Sequence, residues 1–265
     1  MLKDITLGQY FPGDTFIHRL DPRTKIICVM VYIVALFLAD GWIGYLVMTG
    51  VTLVLMAVSR ISPKRIFKGL RPMIFIIVLT GVLNVFYTKG TPVAEGWIIT
   101  WEGLEKAGQM ILRILLLISG TFLLTYTTSP IALTDGLERL LNPLKKIGLP
   151  IHEMTLMMSM ALRFIPTLIE ETDKIMSAQR ARGADFETGG LVRRAKALLP
   201  ILVPLFVSAF RRADELAVAM ESRCYHGGEG RTRMKQMKYA PADAAAALFT
   251  AAFLAGIIVL KRFHL

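Results

Sequence analysis

Five long apolar stretches punctuate the chain, at residues 26–39, 42–58, 73–87, 107–126 and 242–260. A straight bilayer crossing takes about 17 to 25 residues. The first and third stretches are short by that measure. They cross only if flanking polar residues snorkel or their ends are held in protein. Asp40-Gly41 separates the first two and suits a tight reversal, so these two can equally form one broken hairpin. Between 127 and 241 the pattern changes. A short helix is expected over 133–147, ahead of Gly148 and Pro150, and a long one over 152–182. The first half of the long helix, 154–169, is almost wholly apolar and rich in methionine, at Met154, Met157, Met158 and Met160; its second half is charged. Residues 191–223 repeat the plan, apolar over 198–210 with Pro200 and Pro204, then charged over 211–223. Each long helix is about 45 to 50 Å at 1.5 Å per residue. Apolar runs this short, each ending in a charged half, suit helices at the interface or packed under other spans. Neither counts as a further span. The chain thus divides into 1–127, with four spans; 128–241, with the long helices; and 242–265, with a fifth span.

Composition sharpens this reading. Of 265 residues, 54% are hydrophobic and the net charge is +11, an apolar share that soluble domains of this size rarely reach. The basic balance does not point to nucleic acid, because the aromatics sit inside apolar runs instead of alternating with the cations. It fits loops that obey the positive-inside rule. Arg60, Lys64, Arg65, Lys68 and Arg71 follow the second stretch with no acid among them, so that loop is expected in the cytoplasm. Residues 88–106 carry Lys89 and Lys106 against Glu95, Glu102 and Glu105, and read as outside. The N-terminus and 127–241, which holds more than half of the 31 Lys and Arg, are then inside. Five spans leave the C-terminus outside, mildly against Lys261 and Arg262. Cys28 lies in an apolar run and Cys224 in a polar one, so no disulfide is expected. The polar first 25 residues, with Pro12, Gly13 and Pro22, do not form a signal peptide.

Catalytic patterns are missing from the sequence. No G-x-x-x-x-G-K-[ST] loop exists to cradle phosphates, and Gly227-Gly228-Glu229-Gly230-Arg231-Thr232 has the wrong spacing and reads as a flexible turn. His18, His152, His226 and His264 fall in separate segments, never at metal-ligand spacing, so no metal or cofactor is expected. No Ser or Cys sits in a nucleophile elbow. Arg113 is the one charge inside an expected span, which makes it a functional candidate. It stands six residues from the start of that span, where snorkelling to the outer surface accounts for it. In Leu20-Asp21-Pro22-Arg23-Thr24-Lys25, Asp21 suits an N-cap and Pro22 a first helical position, while Arg23 and Lys25 can anchor to phospholipid head groups.

The sharpest features are Ala181-Arg182-Gly183 and Ser222-Arg223-Cys224, each an arginine between small residues at the end of a long helix. Helix capping explains each arginine alone, with Gly183 suited to the position after the cap. Docking explains the small flanks as well, since they leave a guanidinium fork free to enter a partner's groove. The helices also match internally. Asp173 stands nine residues before Arg182 and Asp214 nine before Arg223, with small residues between. Upstream charges are opposite, Glu170 and Glu171 against Arg211 and Arg212. This is either coincidence or a sign that the helices cross and pair through these charges.

Five segments together resemble a known family. They are Gly8-Gln9-Tyr10-Phe11-Pro12-Gly13-Asp14, His18-Arg19-Leu20-Asp21-Pro22-Arg23-Thr24-Lys25, Leu162-Arg163-Phe164-Ile165-Pro166, Gln179-Arg180-Ala181-Arg182-Gly183-Ala184-Asp185 and Ala219-Met220-Glu221-Ser222-Arg223-Cys224-Tyr225. Across essentially its whole length the chain looks like the transmembrane (T) component of energy-coupling factor transporters, vitamin-importing relatives of ABC transporters. The N-terminal segment is similar to the group whose T component serves many interchangeable substrate-binding subunits. The resemblance implies an all-α integral membrane protein of about five spans, with long cytoplasmic coupling helices in an L-shaped arrangement, in a prokaryotic cell membrane. It implies a non-catalytic scaffold between two ABC-type ATPase subunits and a substrate-binding membrane (S) subunit. Arg182 and Arg223 would dock the ATPases through their X-Arg-X motifs, the second departing from the usual form in its Ser and Cys flanks. Met154, Met157, Met158 and Met160 form a flexible surface suited to varied S subunits, although methionines here serve lipid-facing or core packing equally well. The rival readings are a permease working through its own spans, which needs several intramembrane charges, and a membrane enzyme acting on lipids, which needs a polar catalytic cluster.

Overall fold

The computed structural model describes residues 10–92, 99–186, 188, 190–227 and 237–262. Gly8, Gln9, Glu95, the glycine-rich residues 228–232 and His264 lie outside the described residues. Ten α-helices are described, and a single β-bridge, Pro92 to Thr100, is the one strand-like feature among the described residues. The chain folds as two compact units, one of residues 8–140 with 236–265, the other centred on residues 141–235.

The first unit contains α1 (Phe16–Arg19), α2 (Pro22–Leu38), α3 (Gly41–Ser59), α4 (Pro63–Leu70), α5 (Ile74–Tyr87), α6 (Trp101–Thr127), nearly all of α7 (Pro130–Leu141) and α10 (Pro241–Arg262). Among the described residues, four helical segments are long and apolar enough to cross a membrane: Gly41–Ser59, Pro63–Tyr87, Trp101–Thr127 and Pro241–Arg262. The first apolar stretch becomes α2, 17 residues and so about 25 Å long, the shortest of the five. It packs against α6 and α10 and reaches α3 through Tyr32 and Thr52, with Ala35 and Leu36 fully buried. As expected, Asp40 and Gly41 make the reversal into α3, Gly41 adopting φ 67° in the left-handed region open to glycine.

The third stretch is longer than its apolar run. Lys64, Arg65 and Lys68, expected as a loop, fold into α4, which leads through a 3₁₀ turn at Arg71–Met73 into α5. Pro72 explains the turn: it has no N–H for the i−4 carbonyl, and its ring crowds that carbonyl. Ile66 and Leu70 of α4 are buried against Leu123 and Tyr126 of α6, while Lys64, Arg65, Lys68 and Phe67 are exposed.

Small and polar residues hold the spans together. The Tyr32 ring lies where a side chain on Gly120 would be, and its hydroxyl pairs with Thr52 Oγ1 at 2.7 Å and donates to the Leu116 carbonyl at 3.2 Å. Such contacts matter in lipid, which offers helices little hydrophobic reason to associate. Two tryptophans mark one edge of this membrane body. Trp42 and Trp101 line a common recess at the starts of α3 and α6. Arg60 caps the far end of α3, 18 residues on, so about 27 Å away and close to the thickness of a bilayer core.

Two expectations are corrected here. Arg23 and Lys25 do not reach head groups; both are buried. Asp21 caps α2 through the Arg23 N–H at 2.9 Å and takes the Arg23 guanidinium on both oxygens at 3.1 and 3.0 Å. The Lys25 ammonium donates to the carbonyls of His18 at 3.1 Å and Thr127 at 2.9 Å, serving the open C-terminal end of α6. Asp243, in the first turn of α10, accepts the Asp21 N–H and the Ala240 N–H at 2.8 Å each. The network therefore ties the start of α2 to the start of α10 and the end of α6. Arg113 is the second correction. Thr100 caps α6 through the Gly103 N–H, so the helix starts at Trp101 and Arg113 is its thirteenth residue of 27. Its guanidinium lies 5.8 Å from the Phe37 ring centre and 5.6 Å from that of Tyr45, residues on either side of the Asp40-Gly41 reversal.

Candidate coupling-helix site

The second unit is built on α8 (Ile151–Ala181) and α9 (Leu191–Glu221). Their contacts run in opposite order along the two helices. Leu156, Ser159, Met160 and Arg163 share a groove with Leu216, Met220 and Arg223; Glu171 meets Arg212; Gln179 meets Pro200. The helices are antiparallel. Prolines inside each helix shape the contact. Pro204 has no N–H for the Pro200 carbonyl four residues back, and the Gln179 side-chain amide donates to that freed oxygen at 3.5 Å.

The expected charge pairing is present at one of its two positions. Arg212 Nη2 donates to Glu171 Oε2 at 3.0 Å, while Glu170 and Arg211 are exposed. A hydrogen bond from Ser208 holds the Glu171 carboxyl below its ordinary value; slight desolvation opposes this, and the charge and hydrogen bond of Arg212 reinforce it. Residues 171 and 212 are 41 apart, the same offset that relates Arg182 to Arg223. In an antiparallel pair, a contact between equivalent positions lies on a local two-fold. Each arginine is then 11 residues, or about 16 Å, beyond the contact in opposite directions. The two motifs stand at opposite ends of one antiparallel pair.

Both motifs also share a cap. After α8, the Gly183 N–H bonds the Arg180 carbonyl at 3.0 Å and the Ala184 N–H bonds that of Gln179 at 3.0 Å. After α9, the Cys224 N–H bonds the Glu221 carbonyl at 2.8 Å and the Tyr225 N–H that of Met220 at 3.0 Å. This is the Schellman pattern, with the arginine at the cap and a left-handed residue after it. Gly183 takes that position at φ 84° and Cys224 at φ 57°. Capping thus accounts for the residue following each arginine. It leaves the arginines themselves exposed, together with Ala181, Gly183, Ser222 and Cys224. Among the described residues neither guanidinium forms an ion pair with a carboxylate.

The four methionines divide. Met154, Met157 and Met158 are exposed, at the i, i+3, i+4 spacing of one helix face. Met160 is partly buried and turns into the groove that α8 shares with the end of α9, beside Arg163, Arg223 and Tyr225. That groove, about 760 Å³, places the start of α8 next to the second arginine motif. Ser208 and Gln179 escape a reading of the sequence, since a lone polar residue on a helix does not announce its partner.

Residues 13–234 match a family described as cobalt transport protein. A protein of Clostridium kluyveri named energy-coupling factor transporter transmembrane protein EcfT is 55% identical, over 99% of this chain and 98% of its own length. The chain belongs to this family of transporter transmembrane components. Proteins of the same name in Thermosediminibacter oceani and Listeria innocua are 55% and 47% identical, over 97% and 99% of this chain. With its apolar helices, membership makes the chain a membrane-embedded component of an energy-coupling factor transporter.

Proposed function

We propose that the chain is the non-catalytic scaffold of an energy-coupling factor importer, docking two ABC-type ATPase subunits through Ala181-Arg182-Gly183 and Ser222-Arg223-Cys224. The observation that carries this reading is the pair of exposed arginines on equivalent caps, at opposite ends of one antiparallel helix pair. Two ATPases need two docking points of like geometry, and a local two-fold offers them. Closure of the ATPases on ATP would move both helix ends at once. The exposed face of Met154, Met157 and Met158 supports a contact with an S subunit carrying the vitamin or other micronutrient, because unbranched thioether side chains repack against different partners. Met160 would act at the second motif and not on that face. The cations at 60–71 support a prokaryotic cell membrane location with the N-terminus and coupling helices in the cytoplasm.

The test is co-purification. Expressed with candidate ATPases, the parent chain retains both, whereas Arg182→Ala and Arg223→Ala each weaken retention or uncouple hydrolysis from uptake. Loss of one partner of a buried charge-assisted contact costs roughly 2 to 5 kcal/mol. A double variant that assembles and transports like the parent overturns the docking role. Uptake into liposomes by the chain alone favours the permease reading instead.

A further inference from the structure

Two cavities in the membrane body adjoin. The first, about 590 Å³, opens where α3 ends and α4 begins, and Thr15, Ser59, Arg60 and Arg65 are in its lining. The second, about 400 Å³, runs between the spans and is almost wholly apolar, with Val29, Val54, Leu55, Leu124, Phe249 and Phe253 in its wall. Phe16 and Val58 line both. From Val58 the apolar cavity follows α3 back to Val51, about 10 Å along the span. A basic recess at the end of a membrane span thus opens beside an apolar slot within it.

The charges in the recess are poorly spoken for. Arg65 lies 4.0 Å from the centre of the Phe11 ring, a contact that holds the guanidinium without neutralising it. Arg60 is exposed and ends α3 in the left-handed conformation at φ 55°, its N–H on the Ala57 carbonyl at 3.1 Å. Asp14 is the single acid in the lining, and it is exposed. His18 adds little charge at neutral pH, because burial lowers its pKa below the ordinary value; its Nε2 donates to the Phe11 carbonyl at 3.1 Å and its Nδ1 pairs with the Thr15 hydroxyl at 2.6 Å. Exposed Lys64 and Lys68 of α4 add to the positive field, and Phe67 beside them is 73% exposed at the foot of a membrane span. An amphipathic segment of this kind sits at the level of the lipid head groups.

We propose that these adjoining cavities form a binding site for one anionic phospholipid, its phosphate held by Arg60 and Arg65 and an acyl chain lying in the apolar slot. A zwitterionic lipid fits the slot equally well but brings a choline ammonium to two arginines. A free phosphate fits the recess but leaves the slot empty. The head-group contact first assigned to Arg23 and Lys25 therefore passes to Arg60 and Arg65, on the same end of the spans.

The experiment uses the full chain in a mild detergent, with bound lipid counted by native mass spectrometry. Dioleoyl phosphatidylglycerol is titrated against dioleoyl phosphatidylcholine, which has the same chains, and against glycerol 3-phosphate, which has none. One phosphatidylglycerol should bind at least tenfold more tightly than phosphatidylcholine. Arg65→Gln and Arg60→Asn, the latter tolerant of the left-handed backbone, should each remove most of that preference. Val54→Trp should fill the slot and weaken both lipids together, and Lys89→Gln in the loop preceding α6 should change nothing. Equal affinity for the two lipids, or an undiminished preference in the Arg60→Asn, Arg65→Gln double variant, overturns the proposal. Glycerol 3-phosphate binding as tightly as the lipid makes the recess a free-anion site and overturns it too. Thermal unfolding of each variant without lipid separates lost binding from lost folding.

Discussion

Replacing Asp243 by alanine should destabilise the membrane body more than any other single carboxylate change in it. The Asp243 carboxylate is 3% exposed and accepts two backbone N–H groups, from Asp21 and Ala240, at 2.8 Å each. Alanine leaves the buried Asp21 N–H without a partner, at about 1 to 3 kcal/mol, while the N–H of exposed Ala240 turns to water. It also removes the second acid of a network in which Asp21 alone would face Arg23 and Lys25. Breaking a buried charged network by deleting one member costs about 3 to 5 kcal/mol, and that is the expected loss. Asparagine keeps one acceptor oxygen and should fall roughly midway. The comparison is Asp40→Ala, whose side chain is 73% exposed and 4.0 Å from Lys261. Such a pair is worth at most about 1 kcal/mol. Equilibrium unfolding in mixed micelles, followed by the fluorescence of the three tryptophans, Trp42, Trp97 and Trp101, all within residues 8–140, reads the unit that matters. An Asp243→Ala chain within about 0.5 kcal/mol of the parent refutes the reasoning, because a surface substitution would do as much.

At the end of α9, Cys224→Gly should slow amide exchange over 222–225 by relieving a left-handed non-glycine residue, a gain of about 1 kcal/mol; Gly183→Ala should cost a similar amount at the end of α8. Arg223 keeps its place in both, so assembly should persist in Cys224→Gly, and loss of ATPase retention there would mean that the thiol itself is read. Glu171→Arg should impair transport and Arg212→Glu should partly restore it in the same chain, with a coupling of at most about 1 kcal/mol for this partly exposed pair; purely additive effects would show that the contact has no role in transport. Burial pushes the Asp21 carboxyl up, yet the hydrogen bonds and charge of Arg23 outweigh it and hold it below the ordinary value. A depressed carboxylate contributes stability that is present above about pH 4 and lost as pH falls through the folded-state value, so an acid titration should melt the parent more steeply than Asp21→Asn.

Features set by local chain chemistry were legible in the sequence. Asp21 before Pro22 reads as a cap because an aspartate oxygen reaches an N–H two residues on whatever the rest of the fold does. Asp40-Gly41 reads as a reversal for the same reason. The Glu171–Arg212 contact was visible because two helices of one plan carried opposite charges at equivalent places, a regularity that survives without coordinates. The α4 helix was hidden. Its buried apolar residues, Ile66 and Leu70, are the i, i+4 pair of a single two-turn stripe, and the five cations over 60–71 outweigh them in any average.

What the sequence concealed was partnership across the chain. Asp243 stands 222 residues from the N–H it accepts, and nothing near position 243 distinguishes it from an ordinary first-turn acid complementing a helix dipole. Without that acceptor, Arg23 and Lys25 look like surface cations beside a span, and a lipid anchor is the natural inference. Once Asp21 and Asp243 are buried beside them, their charge is consumed internally and the surface field must come from elsewhere. Arg60, Lys64, Arg65 and Lys68 supply it. The same reasoning applies in reverse to Arg182 and Arg223: their caps are completed by backbone groups alone, so the guanidinium groups are left exposed at the helix ends. A helix terminus needs no arginine when its carbonyls are already satisfied by Gly183, Ala184, Cys224 and Tyr225. Two exposed cations in equivalent frames, unused by the fold that displays them, are what a docking role requires of this chain.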